Sequence, residues 1–540
     1  MTTRYLSLAL LVMVTLSAKA AVEALPHDMV DSVIYRATSA AEHHNLYKGA
    51  QNVWLHNPAL HFDAYGSTYG QLGIYANKRH EEEAFVIQEG NTLHNVGIMA
   101  ASYRRLRGKD TAVLPTRRTA TVVWGEASYQ YGQRDNVKWN ASADWRTIYP
   151  YVLADTLGGD RNTERYTFQG GCATRLGHWT IGEELTFRAE HEWATHDPRM
   201  RAIVTDLNAR IGVGRTLLHH HFALGGTLKL YKQTNSVEFY REEGKIPEYQ
   251  MMGLGNWYER FSGTNNSAYY KAVGGGMDVG GRPSAGRGGL LFSASYNYTP
   301  YKRILSSLNA LPITQLYVTQ WQGRLGWKVR IAKEKELLVW LGAIREKRIG
   351  DEIIGGEASA NEYVVRGYLT MYENRTTDLH FGTMLNLPLN SRNNLGFMLW
   401  GGRQRYASSY AYPHSELDFQ KKHVGGTIQW QTTGERWFLS VDVACRYRKN
   451  VSGTFTTTPD DSYISPLKPD VASAKKHMVE QCVAQTLASY MSLSCGLHAE
   501  WRPSFMDNMG LFAETHAAYR KNDVANNKGY SLYASVGITF

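Results

Sequence analysis

Apolar and polar residues alternate with a period of two along most of this chain. From Trp179 to Trp193 the odd positions Trp179, Ile181, Leu185, Phe187 and Ala189 are apolar, while Thr180, Glu184, Thr186, Arg188 and Glu190 are polar. Successive side chains of a strand point to opposite faces, so the segment reads as a strand with one apolar and one polar face. The next segment sets Ile203, Leu207, Ala209, Ile211 and Val213 against Asp206, Asn208 and Arg210. Phe222, Leu224, Leu228 and Leu230 then oppose Thr227 and Lys229, and Tyr317, Trp321, Leu325, Trp327 and Val329 oppose Gln320, Gln322, Arg324 and Lys328. Further on, Trp437, Leu439, Val441, Val443, Cys445 and Tyr447 face away from Ser440, Asp442, Arg446 and Arg448. Leu511, Ala513, Ala517 and Tyr519 face away from Glu514, His516 and Arg520. Tyr530 to Phe540 repeats the pattern and ends on an aromatic residue. Amphipathic strands of ~9–11 residues with aromatic ends are the repeat of a transmembrane β-barrel.

The connections are of two kinds. Gly177-His178, Arg215 to Leu218, Gly280 to Arg287, Ala332 to Lys335, Leu389 to Asn394 and Arg502 to Asn508 are short. Asp135 to Thr163, Thr234 to Asn266, Gly350 to Ala360 and Asn450 to Lys476 are long and polar. Their alternation predicts an all-β, antiparallel transmembrane barrel of about 16 strands (14–18), with short periplasmic turns and long surface loops. Glu362 to Leu389 reads either as one hairpin or as a surface extension, and the parity of the count turns on it.

The N-terminus supplies an independent signal. Arg4, the apolar run Tyr5 to Leu16 and the small-x-small Ala18-Lys19-Ala20 read as a cleaved export leader over residues 1–20. No later apolar run is long enough for a membrane helix, and an exported chain that crosses lipid without helices must close a barrel to pair its backbone groups. The expected location is the outer membrane of a Gram-negative bacterium. A soluble sandwich would account for one amphipathic strand, but not for the series together with a leader. The mean hydropathy of −0.40 is that of an apolar belt averaged with a polar lumen and loops. Four scattered cysteines (Cys172, Cys445, Cys482, Cys495) give neither a disulfide framework nor a zinc motif. The net charge of +10 is spread over strands and loops without a compact basic stripe, which argues against nucleic acid and for anionic lipopolysaccharide or an anionic solute as partner.

Residues 21–63 precede the barrel, assigned to 64–540, as a periplasmic or lumenal segment. Within it, Trp54, Asn57 and Pro58 are hatch candidates: Asn57-Pro58-Ala59 resembles the N-terminal hatch region of the long-chain fatty-acid transporter superfamily, although Asn-Pro also makes an ordinary turn. The segment is too short for the folded plug of a TonB-dependent receptor. The terminal Phe540 resembles the signal read by the barrel-assembly machinery, which is therefore an expected partner. Trp124-Gly125, Tyr129, Gly132, Trp139, Asp144, Tyr149-Pro150-Tyr151, Gly158-Gly159-Asp160, Tyr166, Phe168 and Gly170-Gly171 resemble an uncharacterised family of outer-membrane β-barrels of Bacteroidetes-type bacteria. That resemblance is best over residues 45–180. It implies a place beside a TonB-dependent receptor and a surface lipoprotein in iron or xenosiderophore acquisition, and it supplies no catalytic residue.

Candidate chemistry is confined to the lumen. Glu184, Arg188, Asp206, Arg210, Lys229, Arg324, Lys328, Asp442, Arg446, Arg448, His498, Glu514, His516 and Arg520 are predicted to line it. Opposed charges of this kind either select polar solutes or brace a filled barrel. His498, Glu500, Glu514 and His516 fall on adjacent strands and carry ligand or acid–base chemistry, against the blander role of structural pairs. His219-His220-His221 cannot converge on one metal from a strand. His414-Ser415 and Asp460-Asp461 lie in expected surface loops. No phosphate-binding Gly loop, paired-Cys motif or nucleophile elbow occurs, so neither cofactor, metal nor enzymatic activity is expected. The favoured role is solute or nutrient uptake, as an accessory or transport component of a TonB-linked iron system. A porin-like or fatty-acid-transporter-like channel is the alternative, and an outer-membrane enzyme comes third.

Overall fold

The computed structural model describes residues 32–107, 120–240, 248–257, 267–305, 310–332, 334–359, 362–458, 469–506 and 509–540. The expected leader and Asp460-Asp461 lie outside the described residues.

Eighteen antiparallel strands form one closed sheet. The first half runs β1 (Tyr69–Glu81), β2 (Thr92–Arg107), β3 (Ala120–Val137), β5 (Gly159–Leu176), β6 (Trp179–Trp193), β7 (Arg199–Leu217), β8 (His220–Glu238), β11 (Ser267–Pro283) and β12 (Gly289–Leu305). The second half runs β13 (Leu311–Arg330), β14 (Glu336–Ser359), β15 (Glu362–Pro388), β16 (Asn393–Tyr410), β17 (Ser415–Thr433), β18 (Trp437–Thr457), β19 (Tyr490–Trp501), β20 (Gly510–Asn522) and β21 (Lys528–Thr539). Three short strands, β4 (Leu153–Ala154), β9 (Tyr249–Gly253) and β10 (Asn256–Trp257), make a separate sheet. Each barrel strand pairs with its sequence neighbours, and β1 also pairs with β21, so Ile74 stands between Ile98 and Val536. The Phe540 ring covers Gly70, where a Cβ would lie 2.4 Å from it.

The outward positions carry the apolar side chains. Ile74, Ile98, Ile181, Ile211, Leu325, Phe381 and Leu497 are all exposed, an arrangement stable only in lipid. Exposed Trp179, Trp327, Trp430, Trp437 and Trp501 stand next to the short turns and form one interfacial girdle; Tyr166, Tyr298, Tyr519 and Tyr530 stand outward nearer the other end. The chain is thus a transmembrane barrel of the outer-membrane type. No described helix is long and apolar enough to cross a membrane.

The count is 18 against an expected 16 and lies inside the expected range. Glu362 to Pro388 is neither a hairpin nor a loop extension but one strand of 27 residues. The expected loop Gly350–Ala360 is likewise mostly strand, because β14 and β15 stay paired, through bulges, as far as Ser359 and Glu362. Above the bilayer both faces of a hairpin meet water, so the alternation that marks a membrane strand disappears while the pairing continues.

Both ends of the barrel are filled. Residues 32–68 enter from the end that carries the short turns and lie against the inner wall. At the opposite mouth β4 pairs with β9, which joins the β3–β5 loop to the β8–β11 loop across the opening. Helix α3 (Pro469–Leu487), in the β18–β19 connection, lies beside this lid, with Val479 against Gly255.

Candidate functional site

The N-terminal segment begins with α1 (Ser32–His43) and α2 (Leu46–Trp54). Asn45 caps α2 by accepting from the Lys48 N–H at 3.0 Å. Tyr47, Gln51 and Trp54 recur at helical spacing and form its buried face. That face packs on Leu291, Leu338, Trp340 and Met384 of the inner wall. Trp54 meets Trp340 edge to face at 4.9 Å between centroids, and the Arg324 guanidinium lies 5.5 Å from the Trp54 ring. Asn57-Pro58 prevents the helix from continuing, since the residue before proline is driven out of the α region.

The turn that follows rests on a bare strip of wall. Gly182, Gly212 and Gly225 stand directly opposite one another on β6, β7 and β8, all on the inward face, and the next partner in the row is Asp278 of β11. A Cβ at Gly182 would lie 2.4 Å from the Pro58 carbonyl carbon and 2.5 Å from the Ala59 nitrogen. At Gly212 it would lie 2.2 Å from Asn57 Oδ1, and at Gly225 2.5 Å from Asn57 Nδ2. Only glycine allows the hatch turn to approach the sheet this closely. Asn57, 2% exposed, donates from Nδ2 to Asp278 Oδ2 at 2.6 Å and accepts the Ala59 N–H at Oδ1, 2.9 Å away. All three hatch candidates, Trp54, Asn57 and Pro58, therefore touch the wall.

The start of the segment is fixed to the other side of the barrel. Gln429 of β17 donates to the His44 carbonyl at 2.8 Å and accepts the Leu46 N–H at 2.7 Å. His44 stacks on His498 with centroids 3.8 Å apart, and its Nε2 is 3.1 Å from the Tyr69 hydroxyl. Tyr69 donates to Glu500 Oε1 at 2.6 Å; His498 bridges Glu500, at 3.0 Å, and Glu514, at 3.5 Å. Burial, reinforced by the neighbouring His498, pushes the His44 imidazole down to about 3, so it sits in the latch uncharged. His44, His498 and Glu500 bring three ligand atoms within 4.8 Å of one another. The two imidazoles, however, are tilted by only 30°, so their in-plane lone pairs run side by side, and the cluster acts as a hydrogen-bonded latch.

The predicted lumen residues all occupy inward positions. Arg188 and Asp206 meet in one network with Lys229: Arg188 lies 2.7 Å from Glu190 and 3.6 Å from Asp206, which is 3.5 Å from Lys229. Arg210 pairs with Glu184 at 3.1 Å. Arg188 also donates to Asp144 of the lid at 2.8 Å, and the Tyr231 hydroxyl reaches Asp144 at 3.2 Å. Gln233 and Asn235 of β8 bind the Ala143 and Ala141 carbonyls, both at 2.9 Å, so the lid loop lies along the strand. Elsewhere the predicted residues stand apart. Lys328 pairs with Glu336 at 2.8 Å, Arg446 covers Trp400, Arg448 covers Tyr490, Asp442 lies over Gly496, and Arg520 approaches Glu81 at 3.9 Å. Arg324 is used by the hatch, His498 and Glu514 by the latch, and His516 faces inward two residues beyond Glu514. The His219-His220-His221 run does not converge: His219 lies in the turn, and His221 turns inward to within 3.6 Å of Asp63.

Sequence reasoning missed Gly182, Gly212, Gly225, Asp278, His44 and Asp144. For the glycines a signal was present: each falls where the alternation calls for a lumen-facing polar residue, on three consecutive strands. His44 and Asp144 act from outside the strands, where no periodicity marks them.

Among solved structures, the siderophore receptor PiuA from Acinetobacter baumannii is similar at 7% identity over 87% of this chain and 82% of that one, with a TM-score of 0.38. The ferric preacinetobactin receptor BauA from the same organism is similar at 8% identity over 87% and 80%, with a TM-score of 0.33. The toluene transporter TodX of Pseudomonas putida is similar at 10% identity over 90% and 93%, with a TM-score of 0.30. No curated protein matches the chain. The model of a family of unknown function, DUF6850, matches residues 58–540, from the hatch proline to the last residue, and the chain belongs to that family.

Proposed function

We propose that this chain is a non-enzymatic uptake barrel of the outer membrane, shut in its resting state by the N-terminal hatch and the outer lid, and that solute passes when the hatch leaves its glycine seat. The seat carries this reading. Elsewhere the hatch interlocks side chains with the wall, but at the Asn57-Pro58-Ala59 turn the wall is stripped to backbone over three strands and one hydrogen bond to Asp278 marks the docked position. Such a contact fits closely and can re-form after release. The lid supports the same reading, since its mouth-side core of Leu153, Ala154 and Met252 is fully buried among the inward Tyr231, Tyr270 and Tyr372.

The finer assignment, an accessory or transport barrel of a TonB-linked iron or xenosiderophore system, is supported by the sequence resemblance over residues 45–180. Recovery of a TonB-dependent receptor and a surface lipoprotein with the full chain, purified from iron-limited cells, is its expected outcome. The hatch itself is tested by single-channel conductance in a planar bilayer. The intact mature chain is expected to be silent. The chain lacking residues 21–60, combined with Asp144→Ala to free the lid, is expected to conduct. A stable large conductance of the intact chain, or silence of the combined variant, would refute the hatch.

A further inference from the structure

The lipid-facing wall carries an arrangement that neither hatch nor lid explains. Arg403 of β16 stands directly opposite Lys422 of β17, and Lys422 directly opposite Lys449 of β18. All three side chains are outward and exposed. Directly opposed like charges destabilise a sheet, so a row of three calls for an anion. Among the described residues no carboxylate lies within ion-pair distance of any of them; Arg403 is bonded to the Gln420 amide. The neighbouring Arg375 and Arg405 are already paired, with Glu373 and Asp418.

Immediately below this row, toward the middle of the bilayer, the wall is hollowed. A groove of about 490 Å³ runs between Leu379, Phe381 and Val424, floored by Gly401 and rimmed by Arg403 and Lys422. A second groove of about 690 Å³ shares Leu341 and Leu379 with it and continues past Leu325 and Phe292 over Gly323 and Ala343. Phe381 is 65% exposed and Gly323 has open space where a side chain would be. The row lies on the surface-loop side of the grooves, the side of the outer leaflet.

We propose that β12 to β18 form a docking site for the phosphorylated, multiply acylated glycolipid of the outer leaflet, the lipid anchor of lipopolysaccharide. Its phosphate lies on Arg403, Lys422 and Lys449, and its acyl chains fill the paired grooves. Charge complementarity chooses this occupant: phosphate supplies several acceptor oxygens to adjacent cations, and the grooves accept chains that descend from the same headgroup. The barrel contains its own control. Lys232, Lys271 and Lys302 form a second row of directly opposed cations on β8, β11 and β12, and neither groove reaches it.

The test is native mass spectrometry of the full chain in detergent with added diphosphoryl lipid A. One retained lipid is expected for the parent protein. Arg403→Gln/Lys422→Gln/Lys449→Gln should lower retention at least tenfold, whereas Lys232→Gln/Lys271→Gln/Lys302→Gln should leave it unchanged. Gly401→Leu, which fills the groove and keeps every charge, should also lower it. Folding of each variant is checked by heat-modifiable gel migration. Equal loss in both charge variants, no effect of Gly401→Leu, or displacement by an equal amount of phosphatidylglycerol would overturn the site, since each outcome means general attraction to anionic lipid.

Discussion

Gly182→Ala is the smallest change that should open the hatch. The added methyl would sit 2.4 Å from the Pro58 carbonyl carbon, 2.5 Å from the Ala59 nitrogen and 2.6 Å from the Pro58 oxygen. All three are backbone atoms, so no rotamer change relieves the clash, and the turn must lift by about 1 Å to reach ordinary contact. Lifting breaks the 2.6 Å bond from Asn57 to Asp278. A hydrogen bond to a charged group contributes roughly 1.5–3 kcal/mol, and the carboxylate left without its partner adds about 1–3 kcal/mol. The sum of roughly 2.5–6 kcal/mol corresponds to a rise in the released population of about seventyfold to about twenty-five-thousandfold. The assay is thiol labelling of a Leu60→Cys reporter in a background with Cys172, Cys445, Cys482 and Cys495 replaced by serine. Leu60 is 3% exposed, so labelling follows release. Gly226→Ala is the control: it lies next to the seat residue Gly225 but faces outward, and its methyl would meet only one atom, at 4.0 Å. Equal labelling rates in folded Gly182→Ala and Gly226→Ala barrels would refute the idea that the glycine strip seats the hatch.

Trp54→Ala removes the contacts with Trp340 and Arg324 and should loosen the hatch by about 3–5 kcal/mol, read as faster labelling of the same reporter. Asp144→Asn takes the carboxylate from Arg188 and Tyr231 and should expose the lid loop to protease while leaving Leu60→Cys protected. Glu42 should make the hatch acid-sensitive. Burial alone would raise its carboxyl, but the charge and hydrogen bond of Lys48 and the bonds from Ser67 and Gly66 outweigh it and hold the group at about 2, below its ordinary 4.5. A folded value below the unfolded one stabilises the docked state fully above pH 4.5, and this contribution, at most about 3 kcal/mol, is lost as pH falls toward 2. Reporter labelling, normalised to a free thiol, should therefore rise below pH 4.5 in the parent and lose that rise in Glu42→Gln.

Much of the barrel was legible because its physics is local. Trp179 to Trp193 declares a strand by itself, and each lumen residue inherits its direction from the alternation. Legibility stopped where direction no longer meant burial. In β14 and β15 the pairing climbs above the bilayer, so Gly350 to Ala360 read as a loop although bulged pairing holds it together. The glycine row has no local meaning at all. Gly182, Gly212 and Gly225 are far apart in sequence, and only the register of three strands lines them up. Asn57-Pro58-Ala59 was visible as a short motif, but its partner Asp278 lies 221 residues away. His44 likewise becomes part of a site only when a helix outside the barrel brings it to β19.

The hatch also measures the wall that encloses it. Asn57 and Ala59 rest on β6, β7, β8 and β11, whereas His44, Asn45 and Leu46 are held by β15, β17 and β19. The two docking areas belong to opposite halves of the chain, and the segment that spans them is joined directly to β1, whose pairing with β21 closes the circle. Without β15, β17 and β19 in place, the segment can hold only its early half of the wall. It reaches the latch on β19 only after the late strands have arrived at the right radius. A chain inserted with a hairpin missing, or with β1 and β21 out of register, would leave one end of the hatch without a partner. Seating of the hatch is therefore a built-in report that the wall is complete, made by the segment that precedes β1 and readable only when both halves of the wall stand at the right radius.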